Sequence, residues 1–440
     1  MNAVQFTLHP DDGPREGYFL SPEWIEVEFW PFFWATLLTL VVGGMLYGVL
    51  YGYDRYRHDN PTDHSHAFAL LWIGLYHIVA ASLIGGLWDA AYHAERGFDS
   101  FYSAPHMYVY VLAGVGTLLI IVLGVSFREW FGGPSDLALS IPEPLAMTLL
   151  GLVIVGVGGA VVDNVWHTLF GLDETQWSFP HNTIAWGTLV ASVGFTATVV
   201  ELGRHRGRPW WITGLVGYLF VVTSVPPILG PFAHQLSIDY VNAVAATPGL
   251  QTEAGAQDVH ELIRTWQLVR GNPLLVPLVA VWGGLVIGFL RRLTDDNDRL
   301  FIGIVACHTV LGALGNHRQA TILDLPLADP ATWVPISVPV LCAAITLVGT
   351  RRLDWTDRTG GLFAGGILAI TTLVVWTPTI RGLVLVIPAI LLFVRLRPTG
   401  SWVYDLVETP RKRGMLVTGA VAIAIPLLTG LVDLYLRWQT

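Results

Sequence analysis

The chain has 440 residues, of which 53% are hydrophobic and only 13% charged, a balance far too apolar for a soluble globular domain. The formal net charge is −9, and the basic residues are nearly all arginine, with Lys412 the one lysine. An acidic chain without a polybasic surface argues against nucleic acid as a partner and leaves the lipid bilayer as its surroundings.

A helix needs about 20 apolar residues to cross the hydrocarbon core. By that measure the chain is expected to be an all-α, polytopic membrane bundle of about 12 transmembrane helices. They fall at 28–52, 67–92, 105–127, 143–168, 181–203, 209–233, 273–293, 299–320, 333–350, 361–377, 379–396 and 414–436. The residues on either side of Pro378 read equally as one kinked segment or two short spans. Ahead of the first span lie Asp11, Asp12, Glu16, Glu23 and Glu26, with no basic region followed by a short apolar run. No cleavable signal peptide is therefore expected, and the first span itself directs insertion. Cys307 and Cys342 both fall inside expected spans, as buried hydrophobes rather than disulfide partners or ligands.

Basic residues recur in alternate loops: Arg55 and Arg57, Arg128, Arg204 to Arg208, Arg291 and Arg292, Arg351 and Arg352, and Arg395 to Arg413. The positive-inside rule makes those loops cytoplasmic. The loops near 94–104, 169–180, 235–272 and 321–332 then face outward, and both termini lie outside.

Two of the outward loops carry one motif twice. The first copy has Gly85-Gly86, Asp89, Tyr92, His93, Gly97, Asp99, Ser103, Pro105 and His106; the second has Gly158-Gly159, Asp163, Trp166, His167, Gly171, Asp173, Ser178, Pro180 and His181. From the Asp onward each copy reads Asp, two residues, an aromatic, His, three residues, Gly, one residue, Asp, three or four residues, Ser, one residue, Pro, His. Asp89 and His93 stand four apart at a helix end, as do Asp163 and His167, so each pair shares a helical face. The second His follows a proline suited to the first turn of the next helix. Each antiparallel helix pair is thus expected to gather one carboxylate and two imidazoles near the outer membrane surface, as a three-ligand metal site with open positions. Helix packing, interfacial anchoring and turn capping account for Gly-Gly, Trp-His and Pro-His elements singly; ionisable residues near membrane depth are costly and usually functional. Asp99 and Asp173 read as turn residues or as partners of the ligands.

In these residues the chain resembles one membrane subunit of the copper membrane monooxygenases, the family of particulate methane and ammonia monooxygenase. In that subunit one helix pair supplies an Asp, a His four later and a His thirteen after that, and a second supplies an Asn, a His four later and a His fourteen after that. Asp89, His93 and His106 have the first spacing; Asp163, His167 and His181 have the second, with Asp in place of Asn. The resemblance covers roughly residues 20 to 208 and divides the chain into a monooxygenase-like metal-binding region, 1–208, and an additional transmembrane region, 209–440, of no assigned role. It implies copper at the two sites, O2-dependent oxidation of a small substrate, and either other monooxygenase-type subunits or a homo-oligomer as partners. On ligand type alone, two His and one carboxylate equally suit non-haem iron or catalytic zinc. A zinc-dependent intramembrane hydrolase and a metal or ion transporter are therefore the competing functions.

Other polar residues read more plainly. His58, Asp59, Asp63, His64 and His66 surround Asn60-Pro61 and are expected to form a solvated turn and helix cap, with metal uptake as the sharper alternative. His77 is expected to be a hydrogen-bonded interior residue. His308 and His317 are nine apart, point to nearly opposite helix faces and make a poor shared site; an axial haem pair would need His234. Pro226, Pro227 and Pro231 are expected to break the sixth span near its outer end, and residues 259–269 to form an interfacial amphipathic helix.

Overall fold

The computed structural model describes residues 20–58, 62–86, 88–89, 92, 102–126, 143–163, 165–166, 179–206, 210–233, 272–322, 334–408 and 412–439. All regular structure among them is helical. Nine of these helices are long and apolar enough to cross a membrane, against the twelve or so expected. Helices also occupy the other three expected spans, but their apolar stretches are shorter: Ser65–Val79, Val417–Leu431 and the 15-residue Val338–Arg352. At 1.5 Å per residue, 15 residues rise only about 22 Å, less than the roughly 30 Å hydrocarbon core. The chain forms two compact units, Met1–Arg128 and Glu129–Thr440; the division at 208 rests on the motif copies rather than on packing.

In the first unit, a turn at Pro22–Trp24 capped by Ser21 and a π-helical turn, Ile25–Phe29, lead into α1, Trp30–His58. Trp24, Phe29, Trp30, Phe33 and Trp34 lie ring against ring at its start, the aromatic anchoring typical of a membrane interface. Trp34, Leu38 and Met45 are 59%, 65% and 66% exposed along one side of α1, which only lipid makes tolerable. Helix α2, Thr62–Val79, continues through a second π turn, Ala80–Gly85, and packs on α3, Ala104–Ser126. Gly74 and Gly116 let these two backbones touch: a Cβ on Gly116 would lie 2.9 Å from the Gly74 carbonyl oxygen. Where α1 meets α2, Ser65 donates a buried 2.7 Å hydrogen bond to Asp54.

The second unit opens with α4, Glu143–Gly156, and a third π turn, Val157–Asp163, paired with α5, Phe179–Arg206. Small residues again set the distance, since a Cβ on Gly151 would lie 2.2 Å from the Ala191 nitrogen. Then follow α6, Trp210–Ala233; α7, Leu275–Leu293; α8, Asp298–Ile322; α9, Val338–Arg352; α10, Asp357–Trp376; the short α11, Ile380–Val384; α12, Val386–Glu408; and α13, Lys412–Gln439. Gly284 and Gly288 are spaced as in the small-xxx-small motif of membrane helix pairs, and they bring α7 against α12. A Cβ on Gly288 would stand 2.0 Å from the Arg397 carbonyl oxygen.

Contrary to expectation, Pro226, Pro227 and Pro231 do not break the sixth span: α6 runs unbroken through them to Ala233. A proline's φ suits a helix and each removes only one donor, whereas a chain break at membrane depth would strand several backbone groups. Around Pro378 there are two helices, α10 and α12, with α11 between them. Of the cysteines, Cys342 is half-buried and Cys307 is exposed on α8; an apolar thiol is at ease against lipid, so hydrophobicity alone did not place it in the core. At one end of this unit, Arg291 pairs with Asp298 and Asp296 at 2.6 and 2.8 Å, Arg351 with Asp296 at 2.9 Å, Arg292 with Asp405 at 2.9 Å, and Arg397 with Asp357.

Candidate functional site

In the first motif copy, the π turn Ala80–Gly85 carries the chain to Trp88 and Asp89, and α3 begins two residues before His106. The structure brings those ends together: Asp89 Oδ1 lies 3.0 Å from His106 Nε2, with the side chains 28% and 19% exposed. Two donor atoms each about 2.0–2.2 Å from one ion, at bond angles near 90°, are separated by about 3 Å. The pair therefore fits two ligands of one metal; an imidazolium paired with a carboxylate has the same spacing. Trp88 rests edge-on to Tyr108 at 5.8 Å, and Tyr108 bonds Thr39 of α1 across 2.9 Å. Gly85 is needed here, because a Cβ would lie 2.4 Å from a Val109 methyl.

The second copy shares several of these features within its own unit. Its π turn Val157–Asp163 ends on Asp163, which is 6% exposed. His181 sits half-buried in the first turn of α5. In both copies one glycine of the Gly-Gly pair faces the residues two and three past the second His: Gly85 faces Tyr108 and Val109, and Gly158 faces Thr183 and Ile184. In both, a tryptophan of the first helix end meets an aromatic of the second, Trp166 lying 6.1 Å from Phe179. Short π segments inside helices are rare and gather at functional sites; one ends four residues before Asp89 in the first copy and one ends at Asp163 in the second. His93 and His167, with Asp99 and Asp173, lie outside the described residues. Among the described residues no three His, Cys, Asp or Glu side chains form a group able to hold a metal ion.

A third helix attends each copy. For the first it is the start of the first span, where Glu28 is 1% exposed. Its carboxylate accepts a 2.8 Å hydrogen bond from the Ala104 N–H and another from the Tyr92 hydroxyl. Trp24 adds a 3.1 Å bond from its indole N–H to the Tyr102 carbonyl. For the second copy it is α13: Asn182, fully buried beside His181, donates to Thr429 at 3.3 Å, and Gly430 abuts Phe179. The region past 208 thus walls one motif copy. Sequence reasoning passed over Glu28; its signal was a carboxylate set among Val27, Phe29 and Trp30, where an ionisable group is costly unless it has a task.

Three further histidines, His66, His77 and His308, are held by local contacts. His66 bonds Tyr47 through Nδ1 and stacks on Tyr51 at 4.6 Å; Asp59, Asn60 and Pro61, and the side chains of His58, Asp63 and His64, lie outside the described residues. His77 is 3% exposed and donates from Nδ1 to the Ile73 carbonyl at 2.7 Å, in space that Gly43 leaves open. His308 packs between Tyr218 and Trp282, each 6.1 Å away, whereas His317 is exposed. His234 and residues 259–269 lie outside the described residues.

The class these features define is a multi-pass helical membrane protein with two similarly built helix pairs, the first of which joins a carboxylate to an imidazole. No family model, curated protein or solved structure compared with the chain gives a match.

Proposed function

We propose that the chain is a copper-binding integral membrane protein, related to the copper membrane monooxygenases, that contributes Asp/His metal sites to the O2-dependent oxidation of a small substrate. The observation that carries this reading is the 3.0 Å approach of Asp89 to His106, joining residues of two helices that the duplicated motif pairs. Asp89, His93 and His106 would hold one ion and Asp163, His167 and His181 the other. When bound, copper supplies the one-electron chemistry that lets a site engage O2. The aspartates offset charge, the helix pairs orient the imidazoles, and the apolar helices around them limit water. In this reading about twelve spans cross the cell membrane, the sites face the extracytoplasmic side, and further subunits or a second copy of the chain complete the enzyme.

Metal analysis of the purified wild type tests the proposal. One to two copper ions per chain are expected, and Asp89→Ala or His93→Ala should empty one site while leaving the other. Zinc as the native metal, with no oxygen consumption, would turn the reading to an intramembrane hydrolase. A protein fully active without metal would end both.

A further inference from the structure

We infer that Glu28 is the positioning residue of the first Asp/His site. The inference rests on the proposed reading of that site as a metal centre, but its geometry stands on its own. Glu28 belongs to neither helix of the motif pair, yet its buried carboxylate grips both. Through the Ala104 N–H, 2.8 Å from Oε2, it holds the first turn of α3 two residues ahead of His106. Through Oε1 it accepts the hydroxyl of Tyr92, the neighbour of His93 and three residues past Asp89. Charge-assisted bonds of this kind are stronger than neutral ones, and the free N–H groups of a helix start attract a carboxylate. The site is thereby closed as a ring: Asp89 meets His106 at 3.0 Å, and Glu28 ties the two segments that carry them. The two bonds of Glu28 reach Ala104 and Tyr92 of the first copy, within the first unit. Loss of Glu28 therefore acts on one site alone.

The test uses the full chain in lipid nanodiscs, comparing Glu28→Gln and Tyr92→Phe with the wild type. Glutamine keeps one acceptor oxygen and puts an N–H2 where the second acceptor was; Tyr92→Phe deletes only the hydroxyl bond. Copper titration should show Glu28→Gln weakening the first site by about 10- to 100-fold, the usual effect of losing a partner outside the ligand set. The second site should not change, while the metal-free protein should lose some unfolding stability, because an amide N–H2 then faces a donor that Glu28 had accepted from. Tyr92→Phe should give a smaller loss at the same site. A metal-free arm separates this inference from the copper reading. Asp89→Cys and His106→Cys are introduced with Cys307→Ser and Cys342→Ser, and the rate at which dibromobimane bridges the two thiols is followed by fluorescence. Adding Glu28→Gln should slow bridging by about tenfold or more. Bridging and first-site copper affinity both unchanged in Glu28→Gln would overturn the inference, as would equal weakening of both sites. Slowed bridging in a protein whose wild type takes up no copper would leave Glu28 as the positioning residue and remove the copper reading.

Discussion

A double-mutant cycle on Asp89 and His106 separates a shared metal from a simple ion pair. Their atoms are 3.0 Å apart and the side chains 28% and 19% exposed. A partly exposed ion pair contributes up to about 1 kcal/mol. Asp89→Ala and His106→Ala should accordingly couple by about 1 kcal/mol in the metal-free protein. A ligand at 100 times its Kd stabilises the folded state by about 2.7 kcal/mol, and any of the three variants forfeits that gain at the first site. With copper present the coupling should rise to about 4 kcal/mol, the sum of these two contributions. Copper at the second copy stabilises all four proteins alike and cancels. The assay is equilibrium unfolding in mixed micelles, followed by tryptophan fluorescence, with and without copper. A coupling that stays near 1 kcal/mol whether or not copper is added would refute the metal-sharing argument and leave an ion pair.

Further outcomes can be checked with the same unfolding assay and with metal analysis. Gly288→Ala should destabilise the protein by about 1–3 kcal/mol, because its Cβ would meet the Arg397 carbonyl oxygen at 2.0 Å and backbone cannot yield as a side chain does. Gly44→Ala, with nothing within 4 Å of the added Cβ, should be neutral or gain up to about 1 kcal/mol in helix propensity. Thr429→Val removes the acceptor of Asn182 and should cost about 1 kcal/mol. Asp163→Asn should lower copper affinity at the second site by about tenfold, or about 1.4 kcal/mol, measured with Asp89→Ala present to empty the first; unchanged affinity would refute a contribution of the Asp163 charge to metal binding.

Composition and periodicity determined the membrane class and the helical content, because a chain in lipid must satisfy its backbone within each segment and needs apolar stretches long enough to do so. The motif copies were also legible in sequence, since ligand-type residues four apart share a helix face whatever surrounds them. Tertiary structure decided what depends on neighbours distant in the chain. It sent α6 unbroken through Pro226 and Pro227, left Cys307 exposed, and inserted a π turn before or at each aspartate. It also brought Asp89 to His106 across 3.0 Å and Glu28 onto Ala104 and Tyr92, 76 and 64 residues away. Hydropathy records only how each residue partitions between water and lipid. Which backbones approach closely enough to share a carboxylate is set by the meeting of small residues such as Gly74 and Gly116, and that meeting exists only once the helices have packed.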